Sequence, residues 1–77
     1  MAPFLVPRTG ATDIRKNQWQ VDINGNVVGS NRPDLQYTLN GKRHYVEFDR
    51  NVGTSLPHRN AIVTNDPNGK VITKIIR

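Results

Sequence analysis

Three carboxylates stand where one turn of the chain would bring them together. Asp34, Glu47 and Asp49 are half of the six acidic residues in this 77-residue sequence. Between them lies Asn40-Gly41, which favours a two-residue type I′ hairpin turn. In that register Asp34 faces Glu47, and Asp49 shares the face of Glu47 because side chains alternate along a strand. Like charges across a ladder repel, so the cluster needs a cation, a basic neighbour or a raised pKa.

A divalent metal is the simplest compensation for such a cluster. Oxygen ligands suit Mg²⁺ or Mn²⁺, which proteins often hold through one or two carboxylates, with water and phosphate oxygens completing the shell. The sequence has no cysteine, which excludes disulfides and thiolate zinc sites. The alternative is that the acids pair with Arg32, Arg43 and Arg50 on a solvated sheet face, as charged strand faces commonly do.

Alternating polarity and turn residues predict the strands that position the acids. A first hairpin is predicted over residues 19–28, where apolar and polar residues alternate before an Asn-Gly-Asn turn. The second hairpin, residues 35–49, carries the acids at the end far from its turn. Its other face collects a candidate core of Leu35, Tyr37, Leu39, His44, Val46 and Phe48.

The last third of the sequence predicts a helix followed by a strand. Thr54 or Ser55 is a candidate N-cap and Pro57 suits the first turn, so a helix is predicted over residues 57–65. A turn at 66–69 and a strand at 71–76 complete a strand, helix, strand unit, which implies a crossover to a parallel neighbour. The helix side chains expected to face inward are Leu56, Ala61 and Ile62.

These elements predict one small α+β (α/β-like) domain, a mixed sheet of four or five strands with one crossover helix. Residues 17–77 would form the domain, and residues 1–16 an arm, a linker or a short edge strand. The formal net charge of +5 favours a nucleic acid or an acidic protein as partner. No apolar run approaches the roughly 18 residues that cross a membrane.

The acidic residues also stand in a known motif context. Pro33-Asp34, followed after the hairpin by Glu47-Phe48-Asp49, resembles the PD-(D/E)xK signature of restriction-endonuclease-like nucleases. Residues 31–76 are similar to the C-terminal toxin domains of bacterial contact-dependent and Rhs-type polymorphic toxins. The resemblance implies a trimmed restriction-endonuclease-like core in which Asp34 and Glu47 bind a catalytic metal, Mg²⁺ first, with Mn²⁺ or Zn²⁺ as alternatives.

Asp49 departs from that signature, because the family usually has lysine at this position. The resemblance therefore leaves two arrangements open. Lys74, Arg59 or Arg50 could supply the positive charge that orients the attacking water, or Asp49 could be a further metal ligand in a variant site. Taken as a whole, the resemblance implies a metal-dependent endonuclease that acts as an antibacterial toxin. It would be secreted within a larger protein, act in the target-cell cytoplasm, and be neutralised by a cognate, acidic immunity protein.

Further residues are candidates for contacts with nucleic acid. His58 and Arg59, at the predicted helix start, could hold a phosphate with help from the helix N-terminus. Arg43 and Arg50 could contact the backbone. Among the aromatic residues, Tyr45 shares the face of Glu47 and is the preferred candidate for stacking on a base, since Trp19 and Tyr37 are predicted to lie in the core.

Two other functions fit parts of the sequence. His44 and His58 could act as general base and acid in metal-independent RNA cleavage, although His44 falls on the apolar face. A non-catalytic basic module would instead dock nucleic acid or protein and use the acids as salt-bridge partners. Dependence of cleavage on metal and on Glu47 separates these alternatives from the metal-dependent nuclease.

Overall fold

A four-stranded mixed sheet and one helix make up the part of the domain that the structure describes. The computed structural model describes residues 10–76, apart from the side chains of residues 52 and 54. The elements are β1 (Thr12–Lys16), β2 (Leu35–Leu39), β3 (Lys42–Asp49), α1 (Val52–Asn65) and β4 (Lys70–Ile75). The strands lie in chain order, with β1–β2 and β2–β3 antiparallel and β3–β4 parallel. This confirms the predicted α+β class and the crossover helix.

The N-terminal arm is described only in part. Residues 1–9, which the sequence assigned to an arm or linker, lie outside the described residues. The last residues of the predicted arm form β1 at one edge of the sheet, and the register of β1 is irregular between Thr12 and Arg15. Asp13, between them, has a φ of 48°, a left-handed conformation that aspartate tolerates better than most residues. Within residues 10–76, no helix combines the length and apolarity needed to cross a membrane.

The β2–β3 hairpin has the predicted register. Tyr37 pairs with His44, and the pairing continues without a break to Leu39 and Lys42 beside the turn. Asn40 and Gly41 have φ values of 52° and 73°, as a type I′ turn requires at both central positions. The Asn-Gly dipeptide therefore fixes which side chains share a face, and the predicted hairpin is confirmed.

One face of this hairpin carries the apolar core. Leu35, Tyr37 and Val46 are buried together, and the His44 ring stacks on Tyr37 with 5.0 Å between ring centroids. The predicted core face is therefore confirmed, with His44 in a structural position on it. The partly buried side chains that pack against this core are Ala11, Leu39, Phe48 and Ile72.

The other face of the sheet is polar and also buried. Gln36 and Tyr45 are fully buried, Arg43 is 1% exposed and Glu47 is 9% exposed. Helix α1 lies over this face and contributes Ile62, which is also buried. The alternative of acids on a solvated face is therefore wrong, because the helix and residues 18–28 exclude water from much of it.

Side-chain hydrogen bonds satisfy most of this buried polarity. The Gln36 side-chain oxygen accepts from the Val21 amide at 3.0 Å and from the Arg43 guanidinium at 3.2 Å. Its amide nitrogen donates to the Trp19 carbonyl at 2.9 Å. The Tyr45 hydroxyl donates to the Val21 carbonyl at 2.7 Å. These contacts fasten the segment that precedes β2 onto the sheet through side chains rather than through a strand ladder.

The predicted first hairpin is reduced to one bridge in the described structure, between Val21 and Val27. Val21 is fully buried, whereas Trp19 and Ile23 are 45% and 44% exposed. The prediction that Trp19 belongs to the core is wrong. The Gln36 side chain holds the backbone of this segment. The alternation of apolar and polar residues along the segment therefore does not place the apolar ones on a buried face.

Helix α1 begins at Val52, five residues before the predicted start at Pro57. The Ser55 amide already donates to the Asn51 carbonyl at 3.3 Å, so neither Thr54 nor Ser55 caps the helix. Pro57 lies inside the helix, where it removes one backbone hydrogen bond. The predicted inner face is correct at Ile62 and wrong at Leu56, which is 52% exposed.

The turn after α1 and the strand β4 agree with the prediction from the sequence. The Gly69 amide donates to the Asp66 carbonyl at 3.1 Å and closes the predicted turn. A Cβ atom on Gly69 would lie 2.6 Å from Cε2 of Tyr45, so only glycine fits against the buried ring. The following strand pairs with β3 in parallel, as the predicted crossover requires.

Candidate metal centre

A cleft of about 440 Å³ opens at the end of the hairpin far from its turn. Its floor comes from the start of β2 and the end of β3. One wall comes from α1, and the rim comes from the segment before β2. The predicted acidic cluster lies on this floor. The lining residues are Ser30, Asn31, Arg32, Asp34, Glu47, Phe48, Asp49, His58 and Ile62.

Asp34 and Glu47 are locked to each other across the hairpin. The Asp34 amide donates to a Glu47 carboxylate oxygen at 3.1 Å, and the Phe48 amide donates to an Asp34 carboxylate oxygen at 2.7 Å. Each carboxylate is thus held by the backbone of the opposite chain segment. The neighbouring positions predicted from the turn are confirmed, and the backbone donors fix both side chains before any ligand arrives.

His58 of α1 completes the cluster. Its Nδ1 atom lies 3.4 Å from an Asp49 carboxylate oxygen and 3.9 Å from a Glu47 carboxylate oxygen. Each of these three residues offers one ligand atom, and the three atoms lie within 4.8 Å of one another. The sequence assigned His58 to phosphate. Its expected place beside the acidic cluster agrees with these distances, and they also make the imidazole a candidate metal ligand, which the sequence analysis did not propose.

The carboxylates are short of compensation within the described structure. One Asp49 oxygen is buried without a hydrogen-bond partner. Burial raises the pKa of Glu47, and the charges of Asp34 and Asp49 raise it further, while the Asp34 amide and the nearby His58 offset this rise only in part. A group of acids that remains this poorly paired is suited to a cation.

The donor set fits a divalent metal ion. Glu47 and Asp49 offer oxygen atoms, and His58 offers an imidazole nitrogen on the same side of the cleft. Carboxylate oxygens suit Mg²⁺ and Mn²⁺, whereas imidazole suits Zn²⁺ and other transition metals. The histidine therefore moves the expected preference from Mg²⁺ towards Mn²⁺ or Zn²⁺.

The basic residues proposed to replace the motif lysine do not reach the cluster. Lys74 pairs with Phe48 across β3 and β4, so its side chain is on the sheet face opposite to Glu47. Arg59 donates to the Val71 carbonyl at 3.2 Å, which directs it along β4. Arg50 is exposed and does not line the cleft.

The two buried candidates for nucleic-acid contact are corrected by the structure. Arg43 is 1% exposed, and its guanidinium donates to the Asp13 carbonyl and the Thr38 hydroxyl at 2.9 and 3.0 Å. Tyr45 is fully buried, and burial together with the Asp66 carboxylate raises its pKa. Neither side chain is accessible to a phosphate or a base.

A pair that the sequence did not single out stands at the rim of the cleft. Arg32 lines the cleft, and its guanidinium carbon lies 5.0 Å from the centroid of the Trp19 ring. This contact depends on the loop conformation, so no sequence spacing indicates it. The two histidines, in contrast, are not brought together, because His44 stacks on Tyr37 on the opposite sheet face.

Comparisons with protein-family models, curated proteins and solved structures find no match to this chain. Function must therefore be inferred from the geometry and chemistry of the cleft. The cleft offers a poorly compensated acidic floor, one imidazole and an arginine that contacts an exposed tryptophan.

Proposed function

We propose that this domain is a metal-dependent nuclease that hydrolyses phosphodiester bonds. The observation that carries the proposal is the convergence of Glu47, Asp49 and His58, whose donor atoms lie within 4.8 Å of one another in an open cleft. The positive net charge of the chain supports a polyanionic substrate. The motif resemblance of Asp34 and Glu47 supports the same chemistry.

Each residue of the cleft has a distinct role in this proposal. Glu47, Asp49 and His58 would hold the metal ion, and Asp34 fixes the Glu47 carboxylate through its backbone amide. When bound, such an ion lowers the pKa of water and stabilises charge on the leaving oxygen. Arg32, at the rim, supplies positive charge for a substrate phosphate. Lys74 has no part in this version of the site.

The biological setting is also a proposal. The similarity of residues 31–76 to polymorphic toxin domains supports an antibacterial toxin that is delivered within a larger secreted protein and acts in the target-cell cytoplasm. A free nuclease would damage the cell that makes it, so a cognate immunity protein is part of the proposal. The net charge of +5 favours an acidic partner, because opposite charges accelerate association.

The test is a cleavage assay with a matched pair of variants. Plasmid DNA and total RNA are incubated with the domain in Mg²⁺, Mn²⁺, Zn²⁺ or EDTA. Glu47→Gln should abolish a cleavage that requires metal, because it removes a ligand charge and keeps the side-chain shape. Asp22→Asn is the control, since it makes the same carboxylate-to-amide change in a turn outside the cleft.

Two outcomes would contradict the proposal. Cleavage that persists in EDTA and in Glu47→Gln would move the chemistry away from the carboxylates, towards the histidine mechanism. Binding of nucleic acid without any cleavage, by protein that circular dichroism shows to be folded, would identify a non-catalytic module. Asp34→Ala keeps the backbone amide that donates to Glu47, so reduced metal affinity in this variant with a retained fold would instead make the Asp34 carboxylate a metal ligand.

A further inference from the structure

The Trp19 side chain is unusual in its exposure. Nearly half of it, 45%, is accessible to solvent, although it is one of the largest apolar side chains in the protein. The Arg32 guanidinium lies over the ring at 5.0 Å, at a distance typical of a cation–π contact. Because Arg32 also lines the cleft, the indole is in contact with a residue of the cleft that holds the candidate metal centre.

The backbone around this pair is held firmly. The Trp19 carbonyl accepts from the buried Gln36 side chain at 2.9 Å, and the Gln20 amide donates to the Asn31 carbonyl at 2.8 Å. Gln20 itself is fully buried, and so is Pro33, which follows Arg32. The exposure of the indole is therefore a property of a fixed conformation, and the aromatic surface is in place before a ligand binds.

We infer that Trp19 and Arg32 form a stacking subsite for an unpaired nucleobase, so that the substrate class is single-stranded nucleic acid. This inference rests on the proposed nuclease function and narrows its substrate. An indole ring and a guanidinium plane are the groups on which proteins stack bases. In a duplex the base faces are covered by neighbouring pairs, so only an unpaired base can occupy the subsite.

The charges of the cleft favour the same arrangement. Asp34, Glu47 and Asp49 give the floor negative charge, which repels a nucleic-acid backbone when no cation is bound. Arg32 places positive charge at the rim beside that floor. A strand whose base stacks on Trp19 would have an adjacent phosphate close to Arg32, and this would direct the backbone across the acidic cluster.

The first test uses the natural fluorescence of the protein. Trp19 is the single tryptophan of the chain, so its emission reports on this subsite alone. The wild-type protein is titrated in EDTA, which prevents metal-dependent cleavage, with DNA and RNA single strands of one sequence, a duplex and an abasic strand. Single strands that carry bases should quench the emission, and the duplex and the abasic strand should not.

Unchanged emission at saturating single strand would overturn the inference, and so would equal quenching by the duplex. Quenching by only one of the two single strands would uphold the subsite and name the sugar that the substrate carries. Because these measurements use the wild-type protein, they do not depend on the stability of a variant.

The second test measures affinity by the anisotropy of a labelled single strand. Trp19→Ala should weaken binding about tenfold, the loss expected for one stacked base. Trp19→Phe should recover part of the affinity because it retains an aromatic face. The control is Val27→Ala, which shortens a side chain that is 62% exposed in the same segment, and it should bind like the wild type. Wild-type affinity in Trp19→Ala would overturn the inference.

The two proposals fail in different ways. Glu47→Gln should still quench Trp19 fluorescence on binding a single strand while it no longer cleaves. If cleavage depends on Glu47 and metal but Trp19 does not respond, the stacking subsite is wrong and the nuclease stands. If Trp19 responds but no metal supports cleavage, the nuclease is wrong and the stacking subsite stands.

Discussion

The two ends of strand β3 use the same sheet face in opposite ways. Near its start, Arg43 and Tyr45 are buried among hydrogen-bond partners from β2, from the segment before β2 and from the turn after α1. Near its end, Glu47 and Asp49 open onto a cleft, with His58 as their nearest basic group among the described residues. Both ends are polar and largely buried, so burial alone does not separate structure from function.

The difference lies in how far the polar groups are compensated. At the start of β3 the Arg43 guanidinium meets three acceptors, and only its Nε atom is unpaired. At the end, an Asp49 oxygen has no partner and the pKa of Glu47 is raised by burial and by neighbouring acids. A buried polar group with partners stabilises the fold, whereas one without them is available to a ligand.

The largest expected effect is a loss of stability when the hydrogen-bonded polar groups near the start of β3 are disturbed. Gln36→Leu would leave the Val21 amide and the Trp19 carbonyl without their partners inside the protein. Each buried unpaired group costs about 1–3 kcal/mol, so the free energy of unfolding should fall by about 3 kcal/mol or more. Urea denaturation measures this loss.

Gln18→Leu is the matched control for that prediction. The Gln18 side chain is exposed, so the same replacement there should change the free energy of unfolding by less than about 0.5 kcal/mol. A loss below about 1 kcal/mol in Gln36→Leu would show that this network does not hold the loop.

The next effect is the gain in stability when a metal ion binds the acidic cluster near the end of β3. Thermal unfolding is followed while Mn²⁺ or Zn²⁺ is added to the wild type, His58→Ala and His44→Ala. At a hundred times Kd, a metal that binds only the folded protein stabilises it by about 2.7 kcal/mol. The wild type and His44→Ala should gain this stability, and His58→Ala should lose most of it. Equal gains in both histidine variants would place the metal elsewhere.

The smallest effect is a gain in stability without metal. A raised pKa means that the folded state binds the Glu47 proton more tightly than the unfolded chain does. This contribution is complete below the ordinary value of 4.5 and is lost as the pH rises through the folded-state value. In EDTA at pH 7, Glu47→Gln should therefore be more stable than the wild type by up to about 1 kcal/mol, because the variant buries no charge at this position and the repulsion from the neighbouring acids is removed.

The pH dependence checks the sign of that prediction. The advantage of Glu47→Gln should shrink as the pH falls from the raised folded-state pKa towards 4.5, and it should be lost below 4.5, where the wild-type carboxyl is protonated in both states. Chemical denaturation of both proteins across pH 4 to 7 measures the difference. A variant that is less stable than the wild type at pH 7 would show that ionised Glu47 is a structural partner.

The hairpin and its acids were predictable from local chemistry. Asn40-Gly41 favours one turn type, and that turn determines which residues face each other and which share a face. From it follow the apolar core and the contact between Asp34 and Glu47. Short-range rules suffice here because the partners are joined by only two turn residues.

Long-range contacts explain what the sequence did not reveal. Trp19 and Tyr45 exchange their predicted environments. Tyr45 is buried against Val21 and Asp66, which are distant from it in the sequence, and Trp19 is exposed beside Arg32. Helix α1 begins at Val52 without the predicted cap, and its His58 lies beside the acids as a candidate metal ligand, a role that the sequence analysis did not assign to it. No periodicity along the chain encodes such contacts.

The order of the strands has a consequence for how copies of the protein meet. Among the described strands, β1 and β4 stand at the two edges of the sheet, and an open edge invites pairing with another chain. In β1 the charge of Arg15 is offset by Asp13 at 2.8 Å and Lys16 is left, while Lys70 and Lys74 lie in β4. Two edges brought side by side would place like charges together. The positive charge that attracts a polyanion therefore also helps to keep the sheets from joining into aggregates.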